Sequence, residues 1–291
     1  MRVCSIQSVP AHGRVERRNF RGIPMKTRTL AMAALAAASF GANAALVYNA
    51  NVTPGVIFGV GVTNGSFTVD SSSGIELGLR GKLRHDASGN PANSYNSNGD
   101  GTYSFIAGVA PFQASPTAVW SVEYSINTNT SGTNGLVLNS LTYAFGVDTD
   151  PTQGTSFLTT DIINLLYFDH ALGNNSTVQC AVTGDNNNDG DGCYGDRQAS
   201  RNSTDYATRI AALNVAQNSQ KAHWLLGGGF DPTIDGTYDF YLAAFRGGQQ
   251  VARTDIQIIV GQGGAAVVPE PGSLALAGLA LFGLAAARRR R

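Results

Sequence analysis

The chain has 291 residues with 20 basic and 20 acidic side chains, a formal net charge of zero, and only 14% charged residues. Seven of the basic residues precede Ala45 and four close the chain, which leaves nine basic against eighteen acidic residues between Ala45 and Val268, a balance of about −9. Such a surface lacks the basic footprint that phosphate contacts need and excludes nucleic acid as a partner, while divalent cations remain compatible with it.

In chain order the first signal is an address. Met25-Lys26-Thr27-Arg28 is a basic n-region, Leu30 to Phe40 an apolar h-region of 11 residues, and Gly41-Ala42-Asn43-Ala44 a small-residue cleavage pattern that sets scission between Ala44 and Ala45. Residues 25–44 therefore read as a secretory signal peptide with a helical h-region. Residues 1–24 are arginine-rich and have no apolar period. The expectation is a true start at Met25 and a mis-assigned extension before it; a long n-region is the alternative.

Residues 45–260 read as one exported β domain. Apolar and polar residues alternate with period two in several segments, the mark of half-buried strands. Ile75, Leu77, Leu79 and Leu83 oppose Glu76, Arg80, Lys82 and Arg84; Trp120, Val122, Tyr124 and Ile126 oppose Ser121, Glu123 and Ser125. Similar patterns occur at Tyr103, Phe105, Ala107 and Val109, at Leu141, Tyr143, Phe145 and Val147, and at Tyr238, Phe240, Leu242 and Ala244. The stretch from Tyr238 through Gly247-Gly248 to Val260 predicts a closing hairpin. One short helix is expected at Asp205–Leu213, with Ser203 and Thr204 as caps. Strands at this spacing, without alternating helices, predict an all-β fold: an antiparallel β-sandwich, with a barrel-like variant as the alternative. The tetrad Asp-Gly-Thr-Tyr occurs at 100–103 and 235–238. Duplication would explain it, but an Asp-Gly turn opening a strand explains it more cheaply.

The exported part holds two cysteines, Cys180 and Cys193, and in an oxidising compartment they are expected to pair. The bridge would close a 14-residue loop, worth about 3 kcal/mol on the chain-entropy account. Overlapping it, and passing Cys193 by three residues, runs Asp185 to Asp196, DNNNDGDGCYGD. Calcium takes six to eight oxygens on a sharply turning loop, and an EF-hand-type spacing would use Asp185, Asn187, Asp189, the carbonyl of Asp191, and Asp196, with Gly190 at the turn. Asp in the last position resembles dockerin-type loops, and no flanking helices are evident. A solvated Asn/Asp/Gly turn is the competing reading, so calcium stands as a candidate cofactor. Asp148-Thr149-Asp150-Pro151 reads as a loop cap, with metal binding as the alternative; Asp169-His170 invites an acid/base reading, but adjacent residues on an extended chain point apart and no nucleophile is fixed nearby. His85 and His223 are isolated, and His223 beside Trp224 reads as a packing residue.

A glycine-rich linker at 261–267 leads to the tail at 268–291. Pro269-Glu270-Pro271 forces an extended neck. Residues 274–287 are an apolar run of 14, which as a helix would reach about 21 Å, short of a roughly 30 Å hydrocarbon core. Arg288, Arg289, Arg290 and Arg291 form a basic stop that would remain on the cytoplasmic side of the inner membrane.

On these residues the tail resembles a PEP-CTERM sorting signal, with Pro-Glu-Pro, a short Gly/Leu-rich span and an arginine cluster in order. The resemblance implies export, transient anchoring in the inner membrane, processing by an exosortase-type enzyme, and association with exopolysaccharide. An ordinary tail anchor is the alternative. Ile75 to Phe105, Val119 to Thr128, Leu141 to Pro151 and Gly236 to Gly261 are further similar to exported domains of PEP-CTERM proteins for which the resemblance implies no activity. Enzyme signatures such as Gly-x-Ser-x-Gly and His-Glu-x-x-His do not occur. The expectation is a non-catalytic surface or matrix protein of structural or binding type. The alternative is a carbohydrate-binding or glycoside-cleaving protein built from dispersed carboxylates and aromatics.

Overall fold

A computed structural model describes residues 45–59, 61–165, 170–179, 194–195 and 203–265. In chain order its strands are β1 (Val47–Ala50), β2 (Phe67–Ser72), β3 (Ile75–Leu83), β4 (Thr102–Phe105), β5 (Trp120–Asn127), β6 (Thr142–Asp148), β7 (Phe157–Thr160), β8 (Ala171–Gly173), β9 (Tyr194–Gly195), β10 (Val215–Lys221), β11 (Gly236–Arg246) and β12 (Gln249–Val260). Helices α1 (Ser203–Ile210) and α2 (Ala222–Leu226) lie on either side of β10.

Among the described residues, the strands form a seven-stranded sheet in the order β1-β2-β3-β5-β10-β8-β9 and a five-stranded sheet in the order β4-β12-β11-β6-β7. The all-β reading holds. Pairing is antiparallel throughout except between β4 and β12, which run parallel and make the second sheet mixed. The two Asp-Gly-Thr-Tyr tetrads open β4 and β11, the two neighbours of β12, and Tyr103 and Tyr238 both oppose Ile258 across it. Gly247 and Gly248 close the β11–β12 hairpin with φ of 58° and 81°, the left-handed pair that a two-residue turn requires.

The period-two pattern decides which side chains meet between the sheets. Leu77, Leu79, Val122, Tyr124 and Ile126 from the first sheet join Phe145, Phe240, Leu242 and Ile258 from the second in one buried cluster. Trp120 sits inside it, with ring centroids of Phe105, Phe230, Tyr238 and Phe240 5.9 to 6.3 Å away. Gly81 faces the same interface. A Cβ there would approach Ile258, Phe105 and Tyr103 to 2.8–2.9 Å, so the sheets close against bare backbone at that point.

One expectation is corrected. The alternation predicted half-buried strands, yet β3 and β5 are buried on both faces. The cover is an irregular segment between β1 and β2, described at residues 51–59 and 61–66, that lies over the first sheet's outer face. Val52 and Val56 pack with Phe67 and Val69 there, and Ile57 packs with Ala171 and Val215. Helix α1 begins two residues before the expected Asp205 and ends three before Leu213. A second, five-residue helix, α2, follows β10.

Candidate functional site

The polar face of the first sheet is set by register. Arg80, Glu123 and Ser219 stand in one row across β3, β5 and β10; Lys82, Ser121 and Lys221 stand in the next. Glu76 and Asn127 form a row nearer the other end. The covering segment is irregular, so its peptide groups have no strand to pair with and must bond to side chains. Thr53 N donates to Glu76 Oε1 (2.6 Å), and Asn127 Nδ2 donates to Thr53 O (2.7 Å). Gln217 accepts from Ile57 N (2.8 Å) and donates to Gly55 O (2.8 Å). The polar alternation is therefore an attachment surface for a coil, which is why these strands carry polar residues where no solvent reaches.

Arg80 is the centre of this layer. Its Nη1 donates to Thr63 O (3.0 Å) and Gly65 O (2.6 Å), its Nε donates to Glu123 Oε2 (2.7 Å), and Nη2 lies 2.6 Å from the same oxygen. The guanidinium is sandwiched between Phe67 (4.0 Å) and Tyr95 (3.7 Å). Lys82 Nζ is 3.2 Å from Glu123 Oε1. Arg80 and Glu123 have 0% side-chain exposure. Burial pushes the Lys82 ammonium pKa down, against the pull of Glu123, and pushes Glu76 up despite its bonds from Thr53 and Ser71.

Beyond Lys82 the layer opens into a basic edge. Arg84 Nη1 donates to Ser219 Oγ (3.1 Å), and Ser219 lies 3.4 Å from Ser121 Oγ. Lys221 ends β10, and α2 carries His223 and Trp224 directly after it. The Lys221 ammonium is 5.2 Å from the Trp224 ring centroid, and His223 packs edge-on to the indole at 5.7 Å. Burial and the Arg84 charge hold the Lys221 pKa below its ordinary value; burial and Lys221 do the same to His223. His85 is lowered by burial, with Arg84 and Lys221 adding to it. The sequence left His85 and His223 as isolated residues; β5, which spaces β3 from β10, is what brings them to one edge.

On the second sheet, a groove of about 410 Å³ is lined by Tyr48, Asp100, Phe157, Asp239, Asp255 and Gln257 among others. All three of its carboxylates are engaged locally. Asp100 accepts from Thr102 N (3.0 Å) and Oγ1 (2.7 Å), which lowers its pKa. Asp255 receives the Arg253 fork, which also stacks on Tyr241 at 4.1 Å. Asp239 accepts from Gln257 Nε2 (2.9 Å), and burial, with Asp148 and Asp255 adding repulsion, raises its pKa.

The expected loop cap at Asp148 is present. Its Oδ1 accepts from Asp150 N (3.1 Å) and Ser156 N (2.6 Å), and Asp150 in turn accepts from Thr152 N (2.9 Å). His170 belongs to the interior: Nε2 faces Ile162 O at 2.9 Å and Nδ1 faces the Tyr124 hydroxyl at 2.6 Å. Its Asp169 neighbour lies outside the described residues. So do the candidate calcium ligands Asp185, Asn187, Asp189, Asp191 and Asp196, the cysteines Cys180 and Cys193, the cleavage residue Ala44, and the whole tail with Pro269-Glu270-Pro271 and Arg288–Arg291. Among the described residues no group of three or more His, Cys, Asp or Glu could hold a metal ion, and no helix is long and apolar enough to cross a membrane.

Neither a curated protein nor a solved structure matches the chain. Residues 267–291 match the PEP-CTERM protein-sorting motif, so the chain carries the sorting signal of an exported protein whose membrane-held precursor is processed by an exosortase-type enzyme.

Proposed function

We propose that the exported domain is a non-catalytic surface or matrix component of structural or binding type, associated with exopolysaccharide and released to the cell surface or extracellular space after sorting. The sorting motif at 267–291 carries this reading, because it commits the chain to export. The polar layer under residues 51–66 is consistent with a scaffold role: its charged groups are used to fasten the fold. The test is incubation of the purified exported protein with the producing cells' extracellular polysaccharide. Retention without new reducing ends is expected; loss of retention overturns the association, and release of reducing ends moves the protein to the second reading.

That second reading, a carbohydrate-active protein, is favoured by the groove on the second sheet. Asp239 and Asp255 are diagonal neighbours there, since Asp239 opposes Gln257 and Asp255 opposes Tyr241. They therefore share one face of adjacent strands, and paired carboxylates are the residue type that glycoside cleavage uses. The Arg253 fork on Asp255 favours a structural role for that carboxylate.

The loop at 185–196 belongs to the proposal as a calcium site of the weak extracellular class, clipped by a Cys180–Cys193 bridge. Calcium is expected to raise the melting temperature and a chelator to reverse the rise. Calorimetric titration without heat, together with an unchanged melt, removes the metal.

A further inference from the structure

Four of the nine basic residues between Ala45 and Val268 lie on β3, on β10 or directly after β3: Arg80, Lys82, Arg84 and Lys221. Arg80 and Lys82 are consumed by Glu123. Arg84 and Lys221 are not, for among the described residues neither has a carboxylate within ion-pair distance. Two imidazole nitrogens beside them, His85 Nε2 and His223 Nδ1, are buried and have no hydrogen-bond partner. His85 as a residue is only 8% exposed. A domain with a surplus of about nine negative charges thus gathers two cations without a carboxylate partner and two unpaired imidazole nitrogens at one edge, where burial, with the neighbouring cations adding to it, depresses the Lys221, His85 and His223 pKa values.

The same edge presents an aromatic face. Trp224 is 58% exposed, with Lys221 over its ring and His223 against its edge. The three glycines that follow, Gly227, Gly228 and Gly229, leave the approach open: a Cβ built on any of them meets nothing within 4 Å. An exposed indole offers an apolar platform with a polar rim, and fixed cations beside it select a ligand that carries both a flat C–H face and an acid.

We propose that this edge binds an acidic sugar residue of a polysaccharide, with Arg84 and Lys221 receiving the carboxylate and Trp224 stacking on the pyranose face. A sugar acid fits better than a free anion because it uses the indole as well as the cations. It fits better than a lipid surface because the rest of the domain is acidic and would repel an anionic bilayer over its whole extent. The assignment rests on the proposed exopolysaccharide association and names the chemistry of its contact.

The experiment is calorimetric titration of the exported protein with oligogalacturonate and with a neutral galacto-oligosaccharide of equal length, repeated with Trp224→Ala and with the pair Arg84→Gln and Lys221→Gln. Trp224 is exposed, so its variant keeps the wild-type melt and serves if the double variant does not fold. Binding of the acidic oligomer alone is expected, weakening with salt, with about a tenfold loss for Trp224→Ala and at least that for the charge pair. Equal affinity for the neutral oligomer overturns the proposal, as does acidic binding untouched by Trp224→Ala. Binding to phosphatidylglycerol vesicles with none to the oligomers overturns it in favour of a lipid surface. If the native polysaccharide is retained while the variants bind as wild type, the site is wrong and the proposed function stands; if no glycan binds at all, both fall.

Discussion

Replacing Glu123 by alanine is expected to destabilise the fold by about 3–5 kcal/mol, a large share of the 5–15 kcal/mol that ordinary domains possess. The carboxylate is the counter-charge for both Arg80 and Lys82, and it sits with them beneath residues 51–66. Its removal strands two cations in a layer where the guanidinium is fully enclosed between Phe67 and Tyr95. Nor can Arg80 swing out to water, because it also holds the carbonyls of Thr63 and Gly65. The consequence should be local as well as global: hydrogen exchange of amides 52–66 should accelerate more than that of β11 and β12. Urea unfolding reads the total. A loss below about 1 kcal/mol would place the pair among the weak, solvent-screened kind and contradict the burial. Replacing Arg80, Lys82 and Glu123 together by Met, Met and Leu should recover part of the loss but leave the exchange of 52–66 fast, because apolar side chains cannot bond the Thr63 and Gly65 carbonyls.

The second large effect is a pH dependence that His170 supplies. Nε2 faces a carbonyl and must carry the proton, so Nδ1 is left to accept from the Tyr124 hydroxyl, and the ring is neutral in the fold. Burial pushes its pKa down to about 4, only partly countered by the Ile162 carbonyl. The unfolded chain has a histidine near 6.5 and therefore binds more protons than the native state between those values, so stability rises with pH through that window. The contribution is complete above about pH 6.5 and is lost as pH falls towards 4, amounting to about 3 kcal/mol. Thermal melts from pH 7 to pH 4 should show this slope, and His170→Gln should flatten it while lowering stability at pH 7. An equal slope in the variant would assign the acid sensitivity to other groups.

The legible part of the fold was the part where one period governs one face. β3, β5, β6, β11 and β12 follow from apolar alternation, and the β11–β12 hairpin from paired glycines. β10 was not legible: Val-Ala-Gln-Asn-Ser-Gln-Lys carries almost no apolar period, because Gln217 spends its amide on the covering segment rather than on the core. The cover mixes Asn, Thr, Pro and Gly with Val52, Val56, Ile57 and Phe58 in no strand or helix period, so its role as a lid on the sheet could not be read from the segment itself. A signal for it did exist. In a chain with so few charges, Arg80, Lys82 and Glu123 on adjacent strands of one predicted face ask for mutual burial. The basic edge could not be read at all, since Arg84 and Trp224 are joined only by the spacing of β3, β5 and β10. The interior role of His170 was hidden because the sequence shows its neighbour Asp169 and not Tyr124.

The parallel contact of β4 with β12 has a consequence for timing. Strand β12 hydrogen-bonds to β4 on one side and β11 on the other, and it also reaches the first sheet, where Arg253 N donates to Asp70 Oδ2 (2.7 Å) and Thr254 Oγ1 donates to Thr68 O (2.8 Å). A chain exported N-terminus first therefore delivers its early strands long before the strand that locks them. The last strand ends at Val260, seven residues before the sorting motif begins at residue 267. The segment that completes the domain thus crosses last, while the adjoining address is still held in the membrane, so the address is read on a chain whose architecture has only just become possible.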